Sequence, residues 1–392
     1  MSRLLALSAS AAFLFAACSG GGATSAPTGA TPTGGTTTPA PSASQAEAMS
    51  TVACVAFDTG GLGDKGFNDL AKKGLDDATA AGFTTHFSEA KGATDYANNI
   101  QTLIDQGCTA LVTVGFLQSQ ATADAAAANP TIAFAQVDTA WNKCGPDYTC
   151  GNADDTPQPA NFTGLDYQVD QAAMLAGYLA AGWTKSGKIG TFGGLAFAGV
   201  TRFMDGLYAG IQYYNQGMNK SVQLLGWDGS LKDPTTTGAF VGGSGGNDTW
   251  LNPAKGEQLA KTLLDQGVDI VHPVAGGTGN GAIKAMQEAG KWAIAVDTDQ
   301  YISIGPPTNA AILTSAQKAI DVSTLDFFKQ VEGGYLGGTD YSGTLANAGV
   351  LLAPFHDYES QIPADLKAGI MDLQSKIVDG SVKVCTFLGR GC

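Results

Sequence analysis

The chain has 392 residues, 44% of them hydrophobic, so it carries enough apolar side chain for a sizeable core. Thirty-five acidic residues against 21 basic ones leave a formal charge of -14, which argues against a nucleic-acid partner, because phosphate binding needs clustered Lys and Arg.

The first residues, MSRLLALSASAAFLFAACSGGG, place one Arg before an apolar run of about a dozen residues that passes through small residues into Cys18, the layout of a secretory signal peptide over residues 1–17. The run is too short to cross a bilayer. Phe15-Ala16-Ala17-Cys18 resembles the lipobox of bacterial lipoproteins, which implies lipidation of Cys18 and an extracytoplasmic chain anchored to the bacterial cell membrane. Residues 18–49 are mostly Gly, Ser, Thr, Pro and Ala, cannot bury enough surface to offset their ordering entropy, and are expected to form a flexible tether. The body from Ser50 onward is roughly twice the usual domain size, which favours two lobes.

The body opens with TVACVAFD, a strand, then a glycine-rich turn and a helix from Phe67 to Ala81. TTHFSEA, ALVTVG and TIAFAQVD follow as strands, separated by helical patterns from Tyr96 to Gln106 and from Gln118 to Ala128. Strands apolar throughout, alternating with amphipathic helices, indicate parallel sheets buried on both faces; the class is α/β. Within the turn, Gly61-Leu62-Gly63-Asp64-Lys65-Gly66 satisfies the dinucleotide fingerprint GxGxxG, a weak signal because sharp βα turns favour glycine anyway. Six Cys remain beside Cys18, an even number for an oxidising compartment. The simplest pairing is Cys144 with Cys150, Cys385 with Cys392, and Cys54 with Cys108, the last two opening strand-like runs that a parallel sheet would make neighbours. No CxxC occurs and the three His are scattered, so no metal is expected.

A weak internal echo sets the architecture. NIQTLIDQGCTALVTVG, residues 99–115, is answered by QLAKTLLDQGVDIVHPVAG, residues 258–276, each a helix closed by Gly and followed by a strand. Another helix then leads to a strand ending in Asp, at Asp138 and at Asp297. The distance from Asp105 to Asp138 is 33 positions and that from Asp265 to Asp297 is 32. Open parallel sheets bind ligands at the carboxyl ends of their strands, so facing halves would point both acids into one cleft.

Asp58-x-Gly60-x-x-x-Asp64-Lys65-Gly66-Phe67-Asn68, ATDYANNIQTLIDQGC, VTVGF, FAQVD, KIGTFGG, NPAKGEQLA, AVDTDQ and LTSAQKAID resemble the BMP family of basic membrane lipoproteins, from about Thr51 to about Leu352. Its PnrA-like members are purine-nucleoside receptors of ABC transporters. The resemblance implies a type I periplasmic-binding-protein fold, two Rossmann-like lobes with parallel sheets joined by a three-strand hinge. The expected boundaries are 50–166 plus 318–347 for the N-terminal lobe and 167–317 plus 348–392 for the C-terminal lobe. It also implies a monomeric receptor rather than an enzyme, with no cofactor, that hands a purine nucleoside (adenosine, guanosine or inosine) to a permease.

Carried over residue by residue, Asp58 and Asn68 would read the base edge, because a carboxylate accepts and an amide both donates and accepts. Phe67 would lie on one face of the base and Trp250 in TWLNPAKG on the other, with Phe240 as the alternative because the insert VGGSGGND intervenes. Asp138 and either Asp297 or Asp299 would take the ribose hydroxyls, with Lys318 donating to another sugar oxygen. Gly276 and Gly277 would let main chain approach the ligand. Two acids, Asp58 and Asp64, stand where a dinucleotide's pyrophosphate would lie, which opposes the cofactor reading of the glycine turn, although Glu89 has the spacing of a ribose-binding acid. The alternatives left by the residues are the same fold with another neutral ligand such as a sugar, and an enzyme, either dinucleotide-dependent or a nucleoside hydrolase.

Overall fold

The computed structural model describes residues 50–141, 157–230 and 238–388; the signal peptide, Cys18, the tether, Cys144, Cys150 and Cys392 lie outside the described residues. Strands β1 (Val52–Phe57), β2 (Thr84–Glu89), β3 (Ala110–Thr113), β4 (Ala133–Val137) and β5 (Phe162–Tyr167) form the first sheet together with β11 (Tyr341–Gly343). β6 (Lys188–Gly193), β7 (Gln223–Leu225), β8 (Ile270–Val274), β9 (Trp292–Asp297) and β10 (Ile312–Lys318) form the second with β12 (Val350–Leu352). The strand orders are β11-β5-β4-β3-β1-β2 and β12-β10-β9-β8-β6-β7. The first sheet is parallel throughout, and the second is parallel except for β12, which runs antiparallel to β10. The expected α/β class and two-sheet architecture are therefore what the chain adopts.

Each element follows from its residues. β3, β4 and β8 are buried at every position, as strands covered on both faces must be. Helix Phe67–Ala80 places Ala71, Leu75 and Ala78 on the first sheet and ends one residue before the sequence pattern suggested. Helix Pro253–Asp265 starts with Pro at its first turn and Asn252 accepting from the Lys255 amide at 3.1 Å. Cys54 in β1 and Cys108 just before β3 are joined by a disulfide between neighbouring strands. His272, buried in β8, bonds the Ile294 carbonyl at 2.9 Å, and burial pushes its pKa down to about 4, so it is a neutral core residue.

Among the described residues, three connections run between the sheets. Helix Val169–Trp183 carries the chain from β5 to β6; helix Ile320–Glu332 carries it from β10 back to β11, with Asp321 paired to Lys73 at 3.0 Å; residues 344–349 lead from β11 to β12. Helix Val169–Trp183 lies flush against helix Ala198–Met218 because Gly177, Gly206 and Gly210 have no side chain; a methyl on Gly210 would collide with the Met174 carbonyl. We expect Gly210→Ala to destabilise the chain by about 1–3 kcal/mol, read as a lower urea midpoint at unchanged slope.

Candidate functional site

The first strand delivers Asp58 to the carboxyl edge of the first sheet. Its Oδ1 accepts from the Gly60 amide at 2.8 Å and from Asn68 Nδ2 at 2.9 Å. Asp64, inside the glycine turn, accepts from the amides of Gly66 and Asn68, both at 2.9 Å, and from Asn68 Nδ2 at 3.1 Å. Asp64, two residues ahead of the N-cap Gly66, thus takes up first-turn amides of helix Phe67–Ala80 and fixes the Asn68 side-chain amide. With Nδ2 between two carboxylates, an oxygen there would face only acceptors, so the amide has one sensible orientation. Asn68 Oδ1 is buried and has no hydrogen-bond partner among the described residues. Burial pushes the Asp58 carboxyl up to about 7 against the bonds from Asn68 and Gly60, and the charges of Asp64 and Asp138 add to the rise.

Asp138 follows β4 and Asp297 ends β9, the equivalent strand of the second sheet. Both are held in the left-handed backbone region, at φ 64° and 66°. Few non-glycine residues adopt that conformation, and a matching pair at equivalent strand ends is strain retained by the surroundings. Between them comes Lys318 from the end of β10, its Nζ 2.9 and 2.8 Å from the two Asp138 oxygens. Asp297 Oδ1 stands 3.6 Å from the same ammonium, an ion pair too long for a hydrogen bond, and finds no hydrogen-bond partner among the described residues. Burial raises both carboxyls, that of Asp297 to about 6, while Lys318 opposes the rise. The ammonium also lies 5.1 Å from the Phe67 ring centroid and 5.0 Å from that of Phe203.

These groups converge on one cleft between the sheets, about 570 Å³ when the open space out to its mouth is included. Asp58, Phe67, Asn68 and Asp138 line it from the first sheet's side. Trp250, Gly276 and Asp297 line it from the second, with Lys318 between. Asp299 is not on its walls; it is turned to His356 Nε2 at 2.7 Å. Gly277 also stands behind the wall, where a methyl would meet Leu251 Cδ2 at 2.9 Å, so its small size serves packing. Phe240 packs edge-on against Trp227, centroids 6.2 Å apart, away from the cleft.

Several cleft residues carry no distinctive sequence signal. Phe116 and Phe197 stack at 5.2 Å with planes 20° apart, and Trp250 meets the edge of Phe197 at 6.0 Å. Phe203 is a helix residue like many others. Gly115 is required because any Cβ would stand 2.7 Å from Asp58 Oδ2, and Gly199 because one would stand 2.8 Å from Asp138 Oδ2. Gly115 was within reach of sequence reasoning, since it ends the ALVTVG strand at the carboxyl edge. Among the described residues the site presents several buried carboxylates, one ammonium and five aromatic rings, those of Phe67, Phe116, Phe197, Phe203 and Trp250. It suits an uncharged ligand with an aromatic face and hydroxyl donors, and it repels anions.

Comparison with known proteins agrees with this architecture. A family described as ABC transporter substrate-binding protein PnrA-like, Bmp, matches residues 51–238 and 246–385. Basic membrane protein A1 of Borrelia garinii subsp. bavariensis is 27% identical over 334 residues, covering 83% of this chain and 86% of that protein. The ABC transporter nucleoside-binding protein BmpA of Lactococcus lactis subsp. cremoris is 28% identical over 353 residues, covering 85% of this chain and 88% of its own. Among solved structures, an ABC transporter system solute-binding protein from Aeropyrum pernix K1 superposes with a TM-score of 0.69 at 24% identity, covering 85% of this chain and 92% of that one. A solute-binding protein from Conexibacter woesei does so at 0.62 and 19%, covering 86% and 100%. With the family matched over nearly the whole body and the fold shared with solute-binding proteins, the chain belongs to the Bmp family of PnrA-like ABC transporter substrate-binding proteins.

Proposed function

We propose that the chain captures a purine nucleoside in the interlobe cleft and delivers it to an ABC permease, binding without turnover. The observation that carries the reading is the pair Asp138 and Asp297, equivalent residues in equivalent left-handed conformations, that meet at Lys318 inside a cleft walled by aromatic rings. Asp297 Oδ1, left without a hydrogen bond among the described residues, is an acceptor for a ribose hydroxyl, and Lys318 is a donor to a sugar oxygen. Asp58 and Asn68 meet the base edge; Phe67 and Trp250 offer it flat faces, such stacking being worth roughly 1–3 kcal/mol per base in nucleic-acid systems. The relative from Lactococcus lactis, named as nucleoside-binding, supports the same ligand class. A lipid on Cys18 and the tether of residues 18–49 would keep the receptor, a monomer, beside the permease outside the cytoplasm.

The test is thermal unfolding of the chain against guanosine, inosine, adenosine, cytidine and ribose. A nucleoside at about a thousand times its dissociation constant adds roughly 4 kcal/mol of stability. Purine nucleosides are expected to raise the midpoint and ribose is not. Equal shifts with ribose and guanosine would replace the nucleoside by a sugar.

A further inference from the structure

The turn that carries Asp58 and Asp64 is gripped from the opposite lobe at both ends, by groups that do not line the cleft. At its start, Thr59 donates through Oγ1 to the Gly245 carbonyl, and Tyr96 donates to that hydroxyl from behind at 3.4 Å. At its end, Asn280 Nδ2 donates to the Asp64 carbonyl at 2.9 Å. The next carbonyl, that of Lys65, accepts from Ser303 Oγ at 2.6 Å and Gln300 Nε2 at 3.3 Å. Gln300 and Asn280 are themselves bonded at 3.2 Å, so the three donors act as a unit.

Two further features mark these contacts as more than incidental. Lys65 has φ 62°, the left-handed region, so the carbonyl that the second lobe grips belongs to a strained residue. Gly245 falls in the stretch 239–245 that the family match skips, so the contact from Thr59 uses a part of this chain outside the family pattern.

We propose that these contacts form a closing latch, and that Thr59, Asn280, Gln300 and Ser303 are positioning residues that set how long the cleft retains its ligand without touching it. The bonds join groups of opposite lobes and exist only when the lobes are together, so they favour the closed state over the open one. Apparent affinity scales with the fraction of protein in the closed, competent state. A latch residue therefore acts on every ligand alike. A residue that touches the ligand changes the ranking among ligands.

The proposal takes its probe from the nucleoside reading, and the experiment separates the two. Guanosine release from the full chain is followed by stopped-flow fluorescence, beside equilibrium titrations with guanosine and adenosine. The double variant Ser303→Ala/Asn280→Ala is expected to release guanosine about tenfold faster, with association changed by less than about threefold and the guanosine-to-adenosine affinity ratio unchanged. Ser303→Thr, which keeps the hydroxyl, is expected to behave like the parent. Release within about twofold of the parent in a folded double variant overturns the latch, and so does a changed ligand ranking. Thr59→Val breaks the grip from the other lobe and carries the same expectation should the double variant fail to fold. If the parent takes up no nucleoside, the nucleoside reading falls, and small-angle scattering of ligand-free chains decides the latch. A larger radius of gyration for the double variant supports it, and superimposable curves overturn it.

Discussion

Replacing Lys318 by Met is expected to cost about 3–5 kcal/mol of stability at pH 7.5, the range found when one partner of a buried ion pair is removed. Lys318 is 3% exposed, and its ammonium faces two carboxylates whose side chains are each 9% exposed, Asp138 at 2.8 Å and Asp297 at 3.6 Å. Met has nearly the same length and packs well between the rings of Phe67 and Phe203, so the loss reports the charge rather than a void. The sign of the pH dependence follows from the raised carboxyls. Without the ammonium, both acids hold protons more readily, and at pH 5.5 they lose much of their charge, so the penalty shrinks as pH falls. Urea denaturation of parent and variant at the two pH values measures this. A penalty under about 1 kcal/mol at pH 7.5 would mean that Lys318 is not what holds the two acids together.

Asp58→Asn is expected to do the reverse: to stabilise the ligand-free chain at pH 8 while abolishing nucleoside uptake. The Asp58 carboxyl lies at about 7 against an ordinary value of 3.8. Between those values the folded chain holds a proton that the unfolded chain has released, so this group's contribution is full below the lower value and is lost as pH rises through the upper one. Spread over that window at about 1.4 kcal/mol per pH unit, the difference amounts to about 4 kcal/mol at most. Asn keeps an oxygen for the Gly60 and Asn68 donors and does not titrate. The variant should therefore exceed the parent by about 2–4 kcal/mol at pH 8, and the gap should narrow toward pH 5. A variant less stable than the parent at pH 8 contradicts the assignment of Asp58 as a strained, function-driven charge.

The fold was legible because its signals are local and repeated. Apolar runs alternating with amphipathic helices require buried parallel strands, and the echo between residues 99–138 and 258–297 reappears as two sheets with the same strand order. The same echo picked out Asp138 and Asp297, whose shared backbone conformation no spacing reveals. What was not legible depends on contacts between distant segments. Asp64 looked like one more obstacle to a phosphate, yet it clamps the Asn68 amide and accepts from amides at the start of a helix. Phe197 and Phe203 are indistinguishable in sequence from core phenylalanines, Phe116 stood out only as the end of the VTVGF motif, and only the approach of the two lobes makes all three walls. Asp297 and Asp299 were inseparable by spacing; the turn after β9 sends the first into the cleft and the second to His356.

The most direct measurement is a crystal structure of the chain with guanosine. We expect the base to lie between Phe67 and Trp250 with its edge toward Asp58 and Asn68, and the ribose hydroxyls to be within hydrogen-bond distance of Asp138, Asp297 or Lys318. Guanosine seated outside the cleft, or lying in it with none of those carboxylates near its sugar or base, would contradict the proposal.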